Sequence, residues 1–180
     1  MRIFIACFLL AFSLSSVAKN ECKVNVLNVV CLGGSLIKFK SHYGNFRIEN
    51  GVGVKSQHVH ISKRSTNLAD AKFFEELKYE NIDFVSLEVL EDKVYDVQIS
   101  FKSPQVGGIN KIDRGKLIVD LTLRYGEPHI NDASGEFGAD MFTWKARAYS
   151  VDLFCTNENY CYIRYYIPNI VEKSVVESGL

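Results

Sequence analysis

Two short stretches of the chain are near-copies of each other, and they constrain the fold more than any other feature. Gly34 to Gly44 reads G-S-L-I-K-F-K-S-H-Y-G, and Gly115 to Pro128 reads G-K-L-I-V-D-L-T-L-R-Y-G-E-P. Each opens on Gly and a Leu-Ile pair and closes on Tyr-Gly. Each is followed by strand-like sequence. The pattern predicts an α+β protein built from two tandem modules, each a helix followed by antiparallel sheet, with the helices on one side of the sheet. The modules would span residues 19–103 and 104–180, either as separate units or as one continuous domain. Pro104 to Asp113, with its Gly107-Gly108 pair, is the best boundary loop.

The first copy has clear helix punctuation. Ser35 can cap, Leu36, Phe39 and Tyr43 share one face, and Gly44 can terminate. The second copy is ambiguous on periodicity alone. Leu117, Val119, Leu121, Leu123 and Tyr125 alternate like a strand, whereas Leu117, Ile118, Leu121 and Tyr125 fit one helical face. Asp113 as N-cap, Gly126 past the end and Pro128 beyond it favour the helix. A further short helix is expected from Thr66 to Tyr79, capped near Asn67, with Leu68, Phe73, Phe74 and Leu77 as its apolar stripe.

Strand patterns fill most of the remainder. A weak one lies between Cys22 and Cys31. Phe46 to Ile61 holds two pieces around an Asn50-Gly51 turn signal, with Val52 and Val54 in period. Ile82 to Leu90 and Val94 to Phe101 form a hairpin around Glu91-Asp92-Lys93. Its buried face is Val85, Leu87, Val89, Tyr95, Val97, Ile99 and Phe101, and its other face is Ser86, Glu88, Asp96, Gln98 and Ser100. A wet face of this kind points to antiparallel sheet. Asn131 to Gly138 reads as a polar loop. Met141 to Trp144, Tyr149 to Cys155 and Tyr160 to Ile167 read as three strands, the last stopped by Pro168.

The chain carries the marks of export. Arg2, an apolar run from Ile3 to Leu14 broken by Ser13, and Ser16-Val17-Ala18 form a signal-peptide pattern over residues 1–18. That run is shorter than the roughly 20 residues a membrane span needs. Cys7 would leave with the signal. Four of the five cysteines would then remain, Cys22, Cys31, Cys155 and Cys161. An even number in an exported chain implies disulfides, and three pairings are possible. Proximity favours Cys22–Cys31 and Cys155–Cys161, the latter across a hairpin. The expected compartment is periplasmic or extracellular.

Composition removes several function classes. Roughly 160 residues would remain after cleavage, one domain or two small modules. Lys plus Arg and Asp plus Glu both number 21, so no strong field draws the chain to nucleic acid or anionic lipid. No G-x-S-x-G, H-E-x-x-H or phosphate-cradling glycine loop occurs.

Helix, Tyr-Gly turn and antiparallel strands, repeated twice behind an export signal, resemble the β-lactamase inhibitor protein family and the small outer-membrane assembly lipoproteins of similar module. The Leu-Ile, Tyr-Gly and Gly-x-Pro residues carry the likeness, across most of Gly33 to Ile167. The helix near Phe73 and the lack of a lipidated cysteine depart from that pattern. The resemblance implies a rigid, non-enzymatic export module, without a cofactor, that binds another envelope or secreted protein.

Two constellations compete for function. His58-x-His60 puts two imidazoles on one strand face, a spacing that metals use, with His42, His129 or an acid as third ligand. The competing reading is a solvated face beside Lys55, Lys63 and Arg64. A small-ligand or metal carrier using His58 and His60 is therefore the alternative, and a hydrolase using paired acids such as Glu75-Glu76 or Glu91-Asp92 the third. The other constellation is the outer face of the last hairpin, where Phe154, Tyr160, Tyr162, Arg164 and Tyr166 accompany Asp152. Tyr and Arg dominate interface hot spots, so these residues are the expected partner-binding surface.

Overall fold

The computed structural model describes residues 22–26, 28–51, 55–77, 82–102, 114–132, 139–157 and 160–171. The expected export signal, Val52 and Val54, and the Pro104–Asp113 loop lie outside these.

Alternation of apolar and polar residues produces most of the sheet. Strands β3 (Ile48–Asn50), β4 (Ser56–Ser62), β5 (Ile82–Leu90), β6 (Lys93–Lys102), β7 (Ile130–Asp132), β8 (Asp140–Lys145), β9 (Ser150–Asn157) and β10 (Tyr160–Tyr166) form one eight-stranded sheet. Its order is β3-β4-β5-β6-β10-β9-β8-β7, antiparallel throughout. Both halves of the chain thus run from an outer edge inward, and their last strands, β6 and β10, meet at the centre. The edge strands β3 and β7 have only three residues each, which limits edge-to-edge pairing.

Register sorts the side chains into two faces, because neighbouring residues point to opposite sides. One buried row runs Val59, Leu87, Val97, Tyr165, Val151, Trp144. The next runs Ile61, Val85, Ile99, Ile163, Leu153, Phe142. Tyr95 is buried as expected, at 6% exposed. A bulge after Glu88 pairs Val89 with Val94, leaving Tyr95 as the extra residue.

Three helices contribute to the same buried cluster. In α1 (Leu36–Tyr43) the Ser35 hydroxyl accepts from Lys38 N at 3.2 Å, and Gly44 ends the helix at φ 114°. Leu36, Phe39 and Tyr43 are buried as expected, each contributing about 1.5–3 kcal/mol of transfer energy. In α2 (Leu68–Leu77) the Asn67 side chain accepts from Ala69 N at 2.8 Å. The expected stripe needs one correction: Leu68 is 86% exposed, and Ala69 takes its place with Phe73 and Leu77. Spacing of i, i+4, i+8 keeps Ala69 on the buried face, whereas Leu68 lies five residues from Phe73, off that face. The ambiguous segment is the helix α3 (Arg114–Tyr125), with Leu121 buried and Leu123 81% exposed. Gly126 follows at φ 82°, and its carbonyl accepts from Trp144 Nε1 at 2.9 Å.

Two stretches are more ordered than their sequence suggests. The segment between Cys22 and Cys31, expected as a single short strand, is a hairpin of β1 (Val24–Val26) and β2 (Val30–Leu32), turning through Asn28 at φ 62°. Asn131 and Asp132, expected in a polar loop, lie in β7 against β8. Pro168 stops β10 as expected, and residues 168–171 form a helical turn. Both locally paired disulfides are present. Cys22–Cys31 ties the first hairpin, and Cys155–Cys161 joins directly opposed residues of β9 and β10 inside the core.

Candidate functional site

The face of the sheet opposite the buried rows holds the second constellation. Tyr162, Arg164 and Tyr166 alternate along β10, and Asp152 and Phe154 oppose Arg164 and Tyr162 on β9. All five are half-buried. Phe154 stacks on Tyr162 with centroids 5.1 Å apart, and Tyr160 meets Tyr162 edge-on at 6.4 Å. The Arg164 guanidinium lies 4.8 Å from the Tyr166 ring centroid, a cation–π arrangement. The five expected binding residues therefore form one contiguous patch.

That patch does not stop at the last hairpin. Because β10 pairs with β6, Asp96, Gln98 and Ser100 oppose Tyr166, Arg164 and Tyr162. The polar face of the first hairpin is continuous with it, and this face, expected to be wet, is closed at Asp96 and Ser100, both of which are buried among their neighbours. Arg164 Nε donates to Asp96 Oδ2 at 2.7 Å, with Nη2 at 2.5 Å from the same oxygen. Asp96 is only 4% exposed. Asp152 accepts from the Thr143 hydroxyl at 2.8 Å. Beyond Asp96 in the same row come Glu88 and His58, with Nδ1 2.5 Å from Oε1.

Burial governs the electrostatics of this face. It raises the Asp96 carboxyl, although the Arg164 hydrogen bond and charge pull the other way. For Arg164, burial pulls the guanidinium down and the same contact with Asp96 more than offsets it. Since a guanidinium stays charged at any accessible pH, the titration that matters in the pair is that of Asp96. Asp152 is raised by burial as well, against its Thr143 hydrogen bond. Burial also raises Tyr162 and Tyr166, which keeps both hydroxyls protonated and able to donate.

The first constellation is dispersed. His58 and His60 share a face, with ring centroids 6.4 Å apart, but His58 is engaged by Glu88 and His60 packs on Phe84 at 4.9 Å. His42 lies on α1, with Nε2 3.1 Å from Glu76 of α2. His129 sits by the sheet edge, where Nδ1 accepts from Lys145 N at 3.2 Å. Among the described residues, no three His, Cys, Asp or Glu side chains gather as a metal site.

Of the acidic pairs named for hydrolysis, Glu76, Glu91 and Asp92 have structural partners. Glu76 accepts from the Tyr43 hydroxyl at 2.9 Å, and its carboxyl is held low by the His42 and Tyr43 hydrogen bonds. Desolvation and the Glu76 contact push the Tyr43 hydroxyl strongly up. Lys72 donates to the His42 carbonyl, so this cluster links α1 to α2. Asp92 accepts from the Ser35 hydroxyl at 2.6 Å and from Ile37 N at 2.9 Å, extending the cap of α1.

A second concavity lies away from the sheet face. It encloses about 560 Å³ between the β1–β2 hairpin, α1 and the start of β6, with Val30, Phe39 and Val94 on its walls and Lys38 and Lys93 beside them. Its lining comes from segments far apart in the chain, so no local motif marks it.

Comparison of the chain with protein-family models, with curated proteins and with solved structures finds no match.

Proposed function

We propose that this chain is an exported, non-enzymatic protein-binding module acting in the periplasm or outside the cell. In this reading it is built from two tandem helix-plus-sheet modules, 19–103 and 104–180, with helices on one face of the sheet. The other face is left to a partner that is itself an envelope or secreted protein. An inhibitor, an immunity protein and an envelope assembly factor all fit this class.

One observation carries the reading. Phe154, Tyr160, Tyr162, Arg164 and Tyr166 lie together at mid-sheet, half-exposed, with Arg164 oriented by Asp96. Aromatic rings and a fixed guanidinium supply contact area at low entropic cost, as hot spots do. The two disulfides fit an oxidising compartment. Among the described residues no helix is long and apolar enough to cross a membrane.

Affinity capture from an envelope extract tests the proposal. The baits are the disulfide-intact protein and its Tyr162→Ala variant. A partner retained by the first and lost by the second supports the docking face; identical captures by both count against it.

A further inference from the structure

The two disulfides stand in opposite surroundings. Cys155 and Cys161 are 2% and 0% exposed, enclosed among the core rows of β9 and β10. Cys22 is exposed ahead of β1, and its partner Cys31 is half-buried. Both residues of this second bridge line the concavity of about 560 Å³ between the β1–β2 hairpin, α1 and β6. A concavity of that size admits a small molecule. A reagent entering it therefore meets the Cys22–Cys31 bridge, whereas the Cys155–Cys161 bridge is shielded by its neighbours.

The two halves of the exposed bridge are not equivalent. A Cβ placed on Gly34 would lie 2.8 Å from Cys31 Cβ and 2.9 Å from Cys31 Sγ, so the Gly34 backbone presses against that half. Gly34 N donates to Cys31 O at 2.9 Å. The same segment is fixed to β6, with Gly33 N donating to Val94 O at 2.7 Å and Val94 N to Gly34 O at 2.9 Å. Cys31 is thus braced on the body of the protein. Cys22 leads into β1, which belongs with β2 to a two-stranded sheet outside the eight-stranded one. Thiol–disulfide exchange goes to the sulfur that an incoming thiolate can reach. Access selects Cys22.

We infer that Cys22–Cys31 is an exchange site for low-molecular-weight thiols, with Cys22 as the sulfur attacked. The thiolate of the incoming thiol bonds to Cys22 Sγ, and the electron pair of the broken S–S bond leaves with Cys31. Cys31 takes up the proton that the thiol gave up. The product is a mixed disulfide on Cys22 and a free thiol on Cys31. A second thiol attacks the sulfur of the bound first one, releasing Cys22 as a thiol and the two reagents as their own disulfide. The protein gains two electrons and two protons, and two thiols are oxidised. Opening the bridge loosens β1 and its wall of the concavity, which includes Asn25. The loosening stops at Gly33 and Gly34, where the hydrogen bonds to Val94 hold the chain.

Reduced glutathione is the probe, added in excess to the native, disulfide-intact protein. Samples are quenched in acid with N-ethylmaleimide over time, and the peptides are mapped by mass spectrometry. The early product should carry glutathione on Cys22 and maleimide on Cys31, formed at least about tenfold faster than any product at Cys155 or Cys161. Amide exchange of Val24 to Val26 should then speed up at least about tenfold, with β9 and β10 unchanged. Comparable rates at the two bridges, glutathione on Cys31 in place of Cys22, or no adduct short of unfolding would each overturn the assignment. Amide exchange that is unaltered in β1, or raised equally in β9 and β10, would overturn the local opening.

Discussion

Arg164 and Asp96 stand 68 residues apart in the chain, yet Nε donates to Oδ2 at 2.7 Å across the seam where the two halves of the sheet meet. The contact exists because β6 and β10 pair with each other. It joins a buried carboxylate to a half-exposed guanidinium, and the two sides have different stakes. Arg164 can turn to water; Asp96 cannot.

That asymmetry predicts a stability cost where simple outward orientation would predict none. Arg164→Ala should destabilise the fold by about 2 kcal/mol, since it strands a buried carboxylate. Adding Asp96→Asn should restore most of the loss. Urea unfolding of the single and double variants measures it. A double variant no more stable than Arg164→Ala would show that the guanidinium acts through packing instead.

The raised carboxyl of Asp96 has a pH signature. A folded-state value above the unfolded one means that the native state binds more protons between the two. Its contribution is then complete below the unfolded value and is lost as pH rises through the folded value. The stability of wild type minus that of Asp96→Asn should therefore be largest in acid and fall as pH rises. Thermal unfolding across that range checks the sign, and a difference that grows with pH would contradict it.

Helix α3 offers a sharp internal comparison. Leu121 is buried and Leu123, two residues on, is 81% exposed. Leu121→Ala should cost about 2–4 kcal/mol and Leu123→Ala about 0.5 or less. Equal losses would require both side chains to be covered.

Asp92 shows why part of the fold escapes local reading. Its turn partner Glu91 has φ 49° and Asp92 itself 67°, a hairpin geometry usually left to Asn and Gly. Its carboxylate caps α1 at Ser35 and Ile37, far away in the chain. Asp92→Ala should destabilise by about 1–2 kcal/mol. A much smaller loss by chemical denaturation would mean that Ser35 alone caps the helix.

Features set within a few residues were legible in the sequence. Ser35 and Gly44 bound α1, and strict alternation sorted Val151, Leu153, Ile163 and Tyr165 from Asp152, Phe154, Arg164 and Tyr166. Cys155 and Cys161 lie close enough in the chain to be paired from their turn. Features that depend on which strands meet were not legible. Nothing local to Asp96 announces Arg164, and nothing local to Glu88 announces the bulge that shifts the register beside Tyr95. Ile130 to Asp132 is too short and polar to read as a strand without β8 beside it. The aromatic patch proposed for docking was half visible for the same reason. Its aromatic residues share one hairpin, whereas Asp96 and Ser100 reach it only through the pairing of β6 with β10.

The most direct test of the docking face is calorimetric titration of the captured partner into four proteins: wild type, Tyr162→Ala, Tyr166→Ala and Leu123→Ala. Tyr162 and Tyr166 lie on the outer face of β10, and Leu123 is exposed on α3. Loss of Tyr162 or Tyr166 should weaken binding by about 2 kcal/mol, roughly thirtyfold, with Leu123→Ala within about twofold of wild type. Unchanged affinity for both tyrosine variants, with a large loss for Leu123→Ala, would move the binding surface to α3 and contradict the account.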